Sequence, residues 1–234
     1  MERTQAQIQE ASQSEPATPA GLQKPGHYYS HPRKELISLI PVSAMRILEV
    51  GCAEGVFANS LREARKPARP EIVGIEINRA AATKAEEFLD AVYVGSIEDL
   101  EIPFREHFDC VVCADVLEHL VDPWKTLEKI KTYLRPGGCV VASIPNIQHW
   151  RVILNLFRGE WEYTSEGTLD DTHLRFFTRK SIIDLFETAG FLVRGVRARV
   201  PTPRGRTLNS MTGRVLEPFL TFQYYVVAEL RTRD

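Results

Sequence analysis

Arg46-Ile-Leu-Glu-Val-Gly-Cys-Ala-Glu-Gly55, running on into Val56-Phe-Ala-Asn-Ser-Leu61, is the stretch whose reading decides the fold. Ile47, Leu48 and Val50 make a short apolar run of the kind buried on both faces of a parallel sheet. Gly51 and Gly55 follow, and then a helix-compatible segment begins. A strand, a glycine turn and a helix start together offer a ligand bare backbone N–H groups. The pattern Glu-x-Gly-x-Ala-x-Gly is not the dinucleotide fingerprint, and Glu49 at the strand end would repel a pyrophosphate. A carboxylate there suits a ligand with a cationic or hydroxyl-bearing group.

Outward from this stretch, strands and helices alternate. Ile72–Ile77 reads as a second buried strand, Ala91–Val94 as a third, Phe108–Asp115 as a fourth and Cys139–Ile144 as a fifth. Between them, Val56 to Arg65, Arg79 to Leu89 and Trp124 to Leu134 read as helices. Lys34 to Ile40 reads as a short helix before the first strand, and Arg135-Pro-Gly-Gly138 as a turn into the fifth. Arg179 to Gly190 is a helix with Thr178 as its N-cap. Phe191 to Val200 is a strand, 201–206 a loop, Leu208 to Leu216 a short helix and Phe222 to Leu230 the last strand. The fold class is therefore α/β, a doubly wound, seven-stranded, mostly parallel sheet whose last strand enters antiparallel.

With 234 residues, 44% of them hydrophobic, the chain can bury one substantial core. Residues 1–25 are polar and expected to be a disordered arm, with 26–234 a single domain. From Pro145 to Phe177 the periodicity lapses, and this long segment reads as an acceptor-site insertion. Net charge is -2, which gives no global case for nucleic acid or a membrane. From Asp171 onward, however, 11 Lys and Arg face 6 Asp and Glu, a bias that would suit an anionic acceptor. Cys110 and Cys113 are three apart on a strand and point to opposite faces, so they form neither a redox pair nor a metal clip. With Cys52 and Cys139 they read as small buried hydrophobes. No signal peptide or membrane-spanning apolar run is read, and the expected compartment is the cytoplasm.

Glu49, Gly51 and Gly55 resemble the first motif of the class I S-adenosylmethionine-dependent methyltransferases, acidic-x-Gly-x-Gly-x-Gly, with Ala53 in place of the middle glycine. Asp115-Val-Leu-Glu-His-Leu120 and the Arg-Pro-Gly-Gly turn fit the same resemblance. Thr172-His-Leu-Arg-Phe-Phe-Thr178 resembles bacterial small-molecule members associated with sugar and surface-polysaccharide modification. The resemblance implies a Rossmann-like methyltransferase fold with S-adenosylmethionine as cofactor and S-adenosylhomocysteine as product. It places Tyr29 and Arg33 over the methionine end, and Glu49, Gly51, Cys52, Ala53 and Gly55 at the turn. Glu76 and Ile77 would meet the ribose, Ser96 and Ile97 the adenine, and Ala114 and Asp115 the region below the methyl group. His149, Trp150, Trp161, Tyr163, His173 and Arg175 would line the acceptor pocket.

Methyl transfer from a sulfonium needs alignment of a nucleophile and, for an alcohol, a sink for its proton. No metal is expected. His173 is the first candidate base and His119 the second, with Asp115 orienting. The expected activity is O-methylation of a sugar or similar hydroxyl on a small-molecule acceptor, with no nucleic acid as partner. N- or C-methylation of another small molecule is an alternative, as is a sensor that binds the cofactor without catalysis. A nicotinamide-dependent reductase is disfavoured by the absent second glycine and the lack of a Tyr-x-x-x-Lys pair. The Asp/Asn-Pro-Pro-aromatic loop of amino-methylating nucleic-acid enzymes is absent too.

Overall fold

The apolar runs do become the centre of the molecule. The computed structural model describes residues 33–231; Tyr29 and the N-terminal arm lie outside them. Seven strands form one sheet: β1 (Arg46–Val50), β2 (Glu71–Glu76), β3 (Ala91–Val94), β4 (Phe108–Ala114), β5 (Leu134–Pro145), β6 (Phe191–Arg199) and β7 (Gln223–Leu230). Their order is β3-β2-β1-β4-β5-β7-β6. β7 runs antiparallel to both neighbours, and the other pairings are parallel.

Strand side chains alternate between two cores, one on each sheet face. Leu48, Val50, Val73, Ile75, Val111 and Cys113 pack on one face with α4 (Pro123–Tyr133) and α6 (Arg179–Thr188). Ile47, Ile72, Cys110 and Val112 pack on the other with α1 (Lys34–Ile37), α2 (Val56–Arg65) and α3 (Arg79–Ala85). Cys110 and Cys113 thus lie on opposite faces, and all four cysteines are buried free thiols. The strand order reverses between β1 and β4, so their carboxyl ends open a crevice at the switch point. Among the described residues, no helix is long and apolar enough to cross a membrane.

The structure differs from the periodicity in four places. Pro145 to Phe177 is not all irregular, because Trp150–Phe157 forms α5. Trp150, Ile153, Leu154, Leu156 and Phe157 are all exposed and only Val152 is buried, so the helix turns most of its apolar face, opposite Arg151 and Asn155, outward. Residues 201–206 are not a loop: α7 (Pro203–Met211) starts there, with Thr202 accepting from Gly205 N at 3.0 Å and proline in the first turn. A separate four-residue helix, α8 (Glu217–Leu220), follows it. Arg135-Pro-Gly-Gly is not a turn between elements but a bulge inside β5, where the register against β4 slips between Phe108 and Cys110. Finally, α1 and α3 end earlier than read. Thr178 does cap α6, in a reciprocal box with Ser181.

One glycine sets how closely α3 and the glycine turn approach the sheet. A Cβ on Gly74 of β2 would lie 2.5 Å from Leu89 Cδ2 and 2.6 Å from Cys52 Sγ. Gly74→Ala is expected to destabilise the domain by about 1–3 kcal/mol through overpacking, read as a lower urea midpoint with an unchanged slope.

Candidate functional site

The glycine turn is built on left-handed backbone. Gly51 has φ 69° and Gly55 φ 78°. Ala53 is left-handed too, at φ 48°, which costs an alanine about 1–2 kcal/mol. What holds it there comes from the next strand. The Glu76 carboxylate accepts from Ala53 N at 2.8 Å with one oxygen and from Asn78 N at 2.8 Å with the other. Two of its roughly four acceptor sites are thereby used, leaving capacity for a ligand's hydroxyls. Gly51 is also close-packed: a Cβ there would meet Val116 Cγ2 at 2.9 Å.

Glu49 stands beside this turn, 3% exposed, and its Oε2 is buried with no hydrogen-bond partner. Burial raises its pKa well above the usual carboxylate value; Arg33 opposes that rise and Glu76 adds to it. Such an oxygen beside a cradle of backbone N–H groups suits a ligand carrying positive charge. Cys52 is buried, its thiol pushed far up by the same desolvation, and Ala114 is buried at the tip of β4. Ile77 is exposed, Ile97 belongs to the core, and Ser96 Oγ accepts from Glu98 N at 3.2 Å.

Beyond the tip of β4 the residues converge. Asp115 is left-handed at φ 54°, a conformation aspartate tolerates. Its Oδ1 accepts from Ser143 Oγ at 2.8 Å and from the Gln223 amide, and it ion-pairs with Arg33. A cavity of about 560 Å³ opens here, with Arg33, Asp115, Glu118, His119, Asp170 and His173 in its lining. The chain from β4 enters a 3-10 turn, Leu117–His119, and the insertion folds back over it. Leu174 N and Arg175 N both donate to the Glu118 carbonyl at 2.9 Å. His119 and His173 rings meet edge to face, centroids 4.7 Å apart.

His173 Nδ1 lies 3.1 Å from the Thr168 carbonyl, and His119 Nδ1 lies 3.2 Å from the Thr172 carbonyl. A carbonyl only accepts, so the Thr168 contact puts a hydrogen on His173 Nδ1, while His119 Nδ1 also has the Thr172 hydroxyl at 3.0 Å. Glu118 is 1% exposed, and burial pushes its carboxyl up to about 8. Arg33 pulls the other way, and Asp170 adds to the rise.

The remaining acceptor candidates do not line this cavity. His149 is buried against Phe222, 5.8 Å between centroids, and burial lowers its pKa. Trp150 is on α5. Trp161 and Tyr163 are half-exposed and join the site through Phe176, which stacks edge to face on both Trp161 and His173. The Arg175 guanidinium donates to the Val121 carbonyl, fixing the loop before α4. Sequence reasoning passed over Glu118, Ser143, Asp170 and Gln223. Only Glu118 carried a signal, as a carboxylate in an otherwise apolar run.

A model of the methyltransferase domain matches residues 23–195. A ubiquinone biosynthesis O-methyltransferase from Aeromonas salmonicida is 31% identical over 159 residues, 64% of this chain and 63% of that protein. This chain thus spans just under two thirds of that relative's length. The protein of the same name from Ralstonia nicotianae is 27% identical over 219 residues, covering 89% of this chain and 86% of its own. Among solved structures, an S-adenosylmethionine-dependent methyltransferase from Archaeoglobus fulgidus superposes with a TM-score of 0.59 at 19% identity, covering 84% of this chain and 91% of its own. One from Aquifex aeolicus superposes at 0.58 with 16% identity, covering 89% and 94%. At such identity these structures bear on the fold alone.

The buried Glu49 has a consequence for stability. The folded chain keeps this group protonated to a higher pH than the unfolded chain does, so it binds more protons across that interval. Stability attributable to Glu49 is present below the ordinary carboxylate range and is lost as pH rises toward the raised folded value. Glu49→Gln is expected to remove that loss, so that urea denaturation across pH finds the variant gaining on the parent as pH increases.

Proposed function

The chain belongs to the methyltransferase-domain family, the class I S-adenosylmethionine-dependent methyltransferases, and we propose that it methylates a hydroxyl oxygen of a small polar molecule, a sugar or similar metabolite. The observation that carries this reading is the meeting of two half-sites at one switch point. The glycine turn with Glu49 and Glu76 lies on one side, and the cavity holding His173, His119 and Asp115 on the other. The O-methyltransferase names of the relatives support oxygen as the atom modified.

The residues present fit the cofactor. Backbone N–H groups of the turn and the spare lone pairs of Glu76 would hold its ribose. Glu49 and Arg33 suit its charged methionine end, Glu49 for the ammonium and Arg33 for the carboxylate. Ser96 and Ile97 follow β3, where the adenine would lie. When bound, the group supplies an activated methyl, so this chain needs no covalent intermediate. Its residues must seat the acceptor oxygen in line and receive a proton. His173 is oriented by its Nδ1 contact with the Thr168 carbonyl, and Nε2 is the atom that would receive the proton. Asp115 positions the site, clamped as it is by Ser143 and Gln223. Six Arg from 194 to 214 lie on the C-terminal side, and Arg199 reaches the cavity, which supports an anionic acceptor.

Two measurements test this. Isothermal titration should find S-adenosylmethionine and S-adenosylhomocysteine bound and NADH not bound. Glu76→Ala should weaken both by at least about tenfold with the circular dichroism unchanged; parental affinity would refute the ribose assignment. In turnover with a panel of sugar, phenol and amine acceptors, His173→Ala should lose about 10²–10⁴-fold in kcat at unaltered cofactor affinity. Full activity would remove it as base, and methylated amines with untouched hydroxyls would sink the O-methylation reading.

A further inference from the structure

We propose that the exposed face of α5 is the contact by which two copies of this chain pair into a symmetric dimer, their helices antiparallel across a two-fold axis. This goes beyond the catalytic reading and does not depend on it.

The first observation is a helix stripe turned away from its own core. Trp150, Ile153, Leu154 and Phe157 recur at i, i+3, i+4 and i+7, the spacing by which one helix presents anchors to another surface. They are 45%, 41%, 37% and 88% exposed, and Val152 alone is buried. With Leu156 they leave roughly 500 Å² of apolar surface in water, taking aromatic side chains at about 150–250 Å² each. That is a large patch for a monomer. Trp161 and Tyr163, half-exposed just beyond the helix, extend it toward the ~800 Å² that each partner of a standard interface buries.

The second observation, charge, selects the occupant. Between residues 150 and 163 the charged side chains are Arg151, Arg158, Glu160 and Glu162, a balance of zero. A helix that lies on an anionic lipid surface carries Lys and Arg on its polar face, and acids beside the apolar stripe oppose it. A self-contact needs both signs, because an isologous interface must complement itself. Arg151 and Asn155, four apart, share one flank of the helix. After α5 the chain turns back at left-handed Gly159, and Glu160 N donates to the Asn155 carbonyl at 2.9 Å, which brings the acids back to the end of the helix. A two-fold axis that sets the two stripes together reverses the second helix, so the same flank of each copy meets. Arg151 of one copy then faces the end of the other that carries Glu160, and the two acids there balance the two arginines.

The chain's own N-terminal stretch is a poor occupant by composition. Residues 1–25 hold only Met1, Ile8 and Leu22 as large apolar side chains, too few to cover these anchors. At the edge of the face Trp161 meets Phe176 edge to face, 5.6 Å between centroids, and Phe176 meets His173 at 6.4 Å. The pairing surface is thus joined to the wall of the cavity.

Analytical ultracentrifugation of the full chain, from micromolar to near-millimolar concentration, is expected to show a reversible monomer–dimer equilibrium. Amide hydrogen exchange in α5 should slow as the dimer fills. Ile153→Asp and Phe157→Asp should each weaken pairing at least about thirtyfold, the effect of losing a central anchor, with circular dichroism unchanged. Glu160→Arg should weaken it about tenfold, and adding Arg151→Glu to that variant should return it to the parental value. Should a variant misfold, the concentration dependence of exchange in the parent decides the matter alone. A chain monomeric throughout, a dimer whose α5 amides exchange at the monomer's rate, or folded variants that pair as the parent does would overturn the proposal. Vesicles of phosphatidylcholine with phosphatidylglycerol offer the competing occupant. A monomeric parent that sediments with them, beside a Phe157→Asp variant that does not, would overturn the dimer and assign the face to a lipid surface.

Discussion

The Glu76 carboxylate is the tie on which the site depends. One oxygen holds Ala53 N in a left-handed turn that an alanine would not choose, and the other holds Asn78 N where α3 begins. A charge-assisted hydrogen bond to a buried amide is about twice as strong as a neutral one, enough to offset the backbone strain at Ala53. The same side chain therefore shapes the turn and keeps lone pairs to spare, and its hold on Ala53 is why a glycine was dispensable at position 53.

Around this tie the carboxyl edge of the sheet collects acids in three different settings. Glu76 is satisfied by backbone donors. Asp115 is satisfied by Ser143, Gln223 and Arg33, drawn from three separate elements. Glu49 and Glu118 keep buried oxygens without donors. Polar groups left in that condition in a native fold mark places where a ligand completes the structure. They flank the switch point from both sides, and a sheet whose order reverses between β1 and β4 provides the gap between them.

The insertion after β5 gives the second half of the site its character. Its backbone returns to the 3-10 turn through the Glu118 carbonyl, bringing His173 onto His119 across 54 residues of chain. The fold that carries it is shared with structures at 16–19% identity, so it specifies where ligands bind and not what they are.

Much of this was legible in the residues themselves. Runs such as Ile47–Val50 and Val111–Val112 bury on both faces whatever surrounds them, so the strands, their alternation with helices and the opposite facing of Cys110 and Cys113 follow from local pattern. So does the turn, because Gly51 and Gly55 are needed where φ is positive. Other features required the third dimension. α5 is only eight residues long, too short for its period to stand out in a long irregular segment, and Thr202-Pro203 reads equally as a turn or a helix start until the rest of α7 packs. Glu118, Ser143 and Gln223 sit far apart in the chain, and no spacing rule links Glu118-His119 to His173. Local sequence determined the elements, since propensity and periodicity act over a few residues. Only the tertiary structure decided which distant polar groups meet, because that depends on how the strands order and where the insertion folds back.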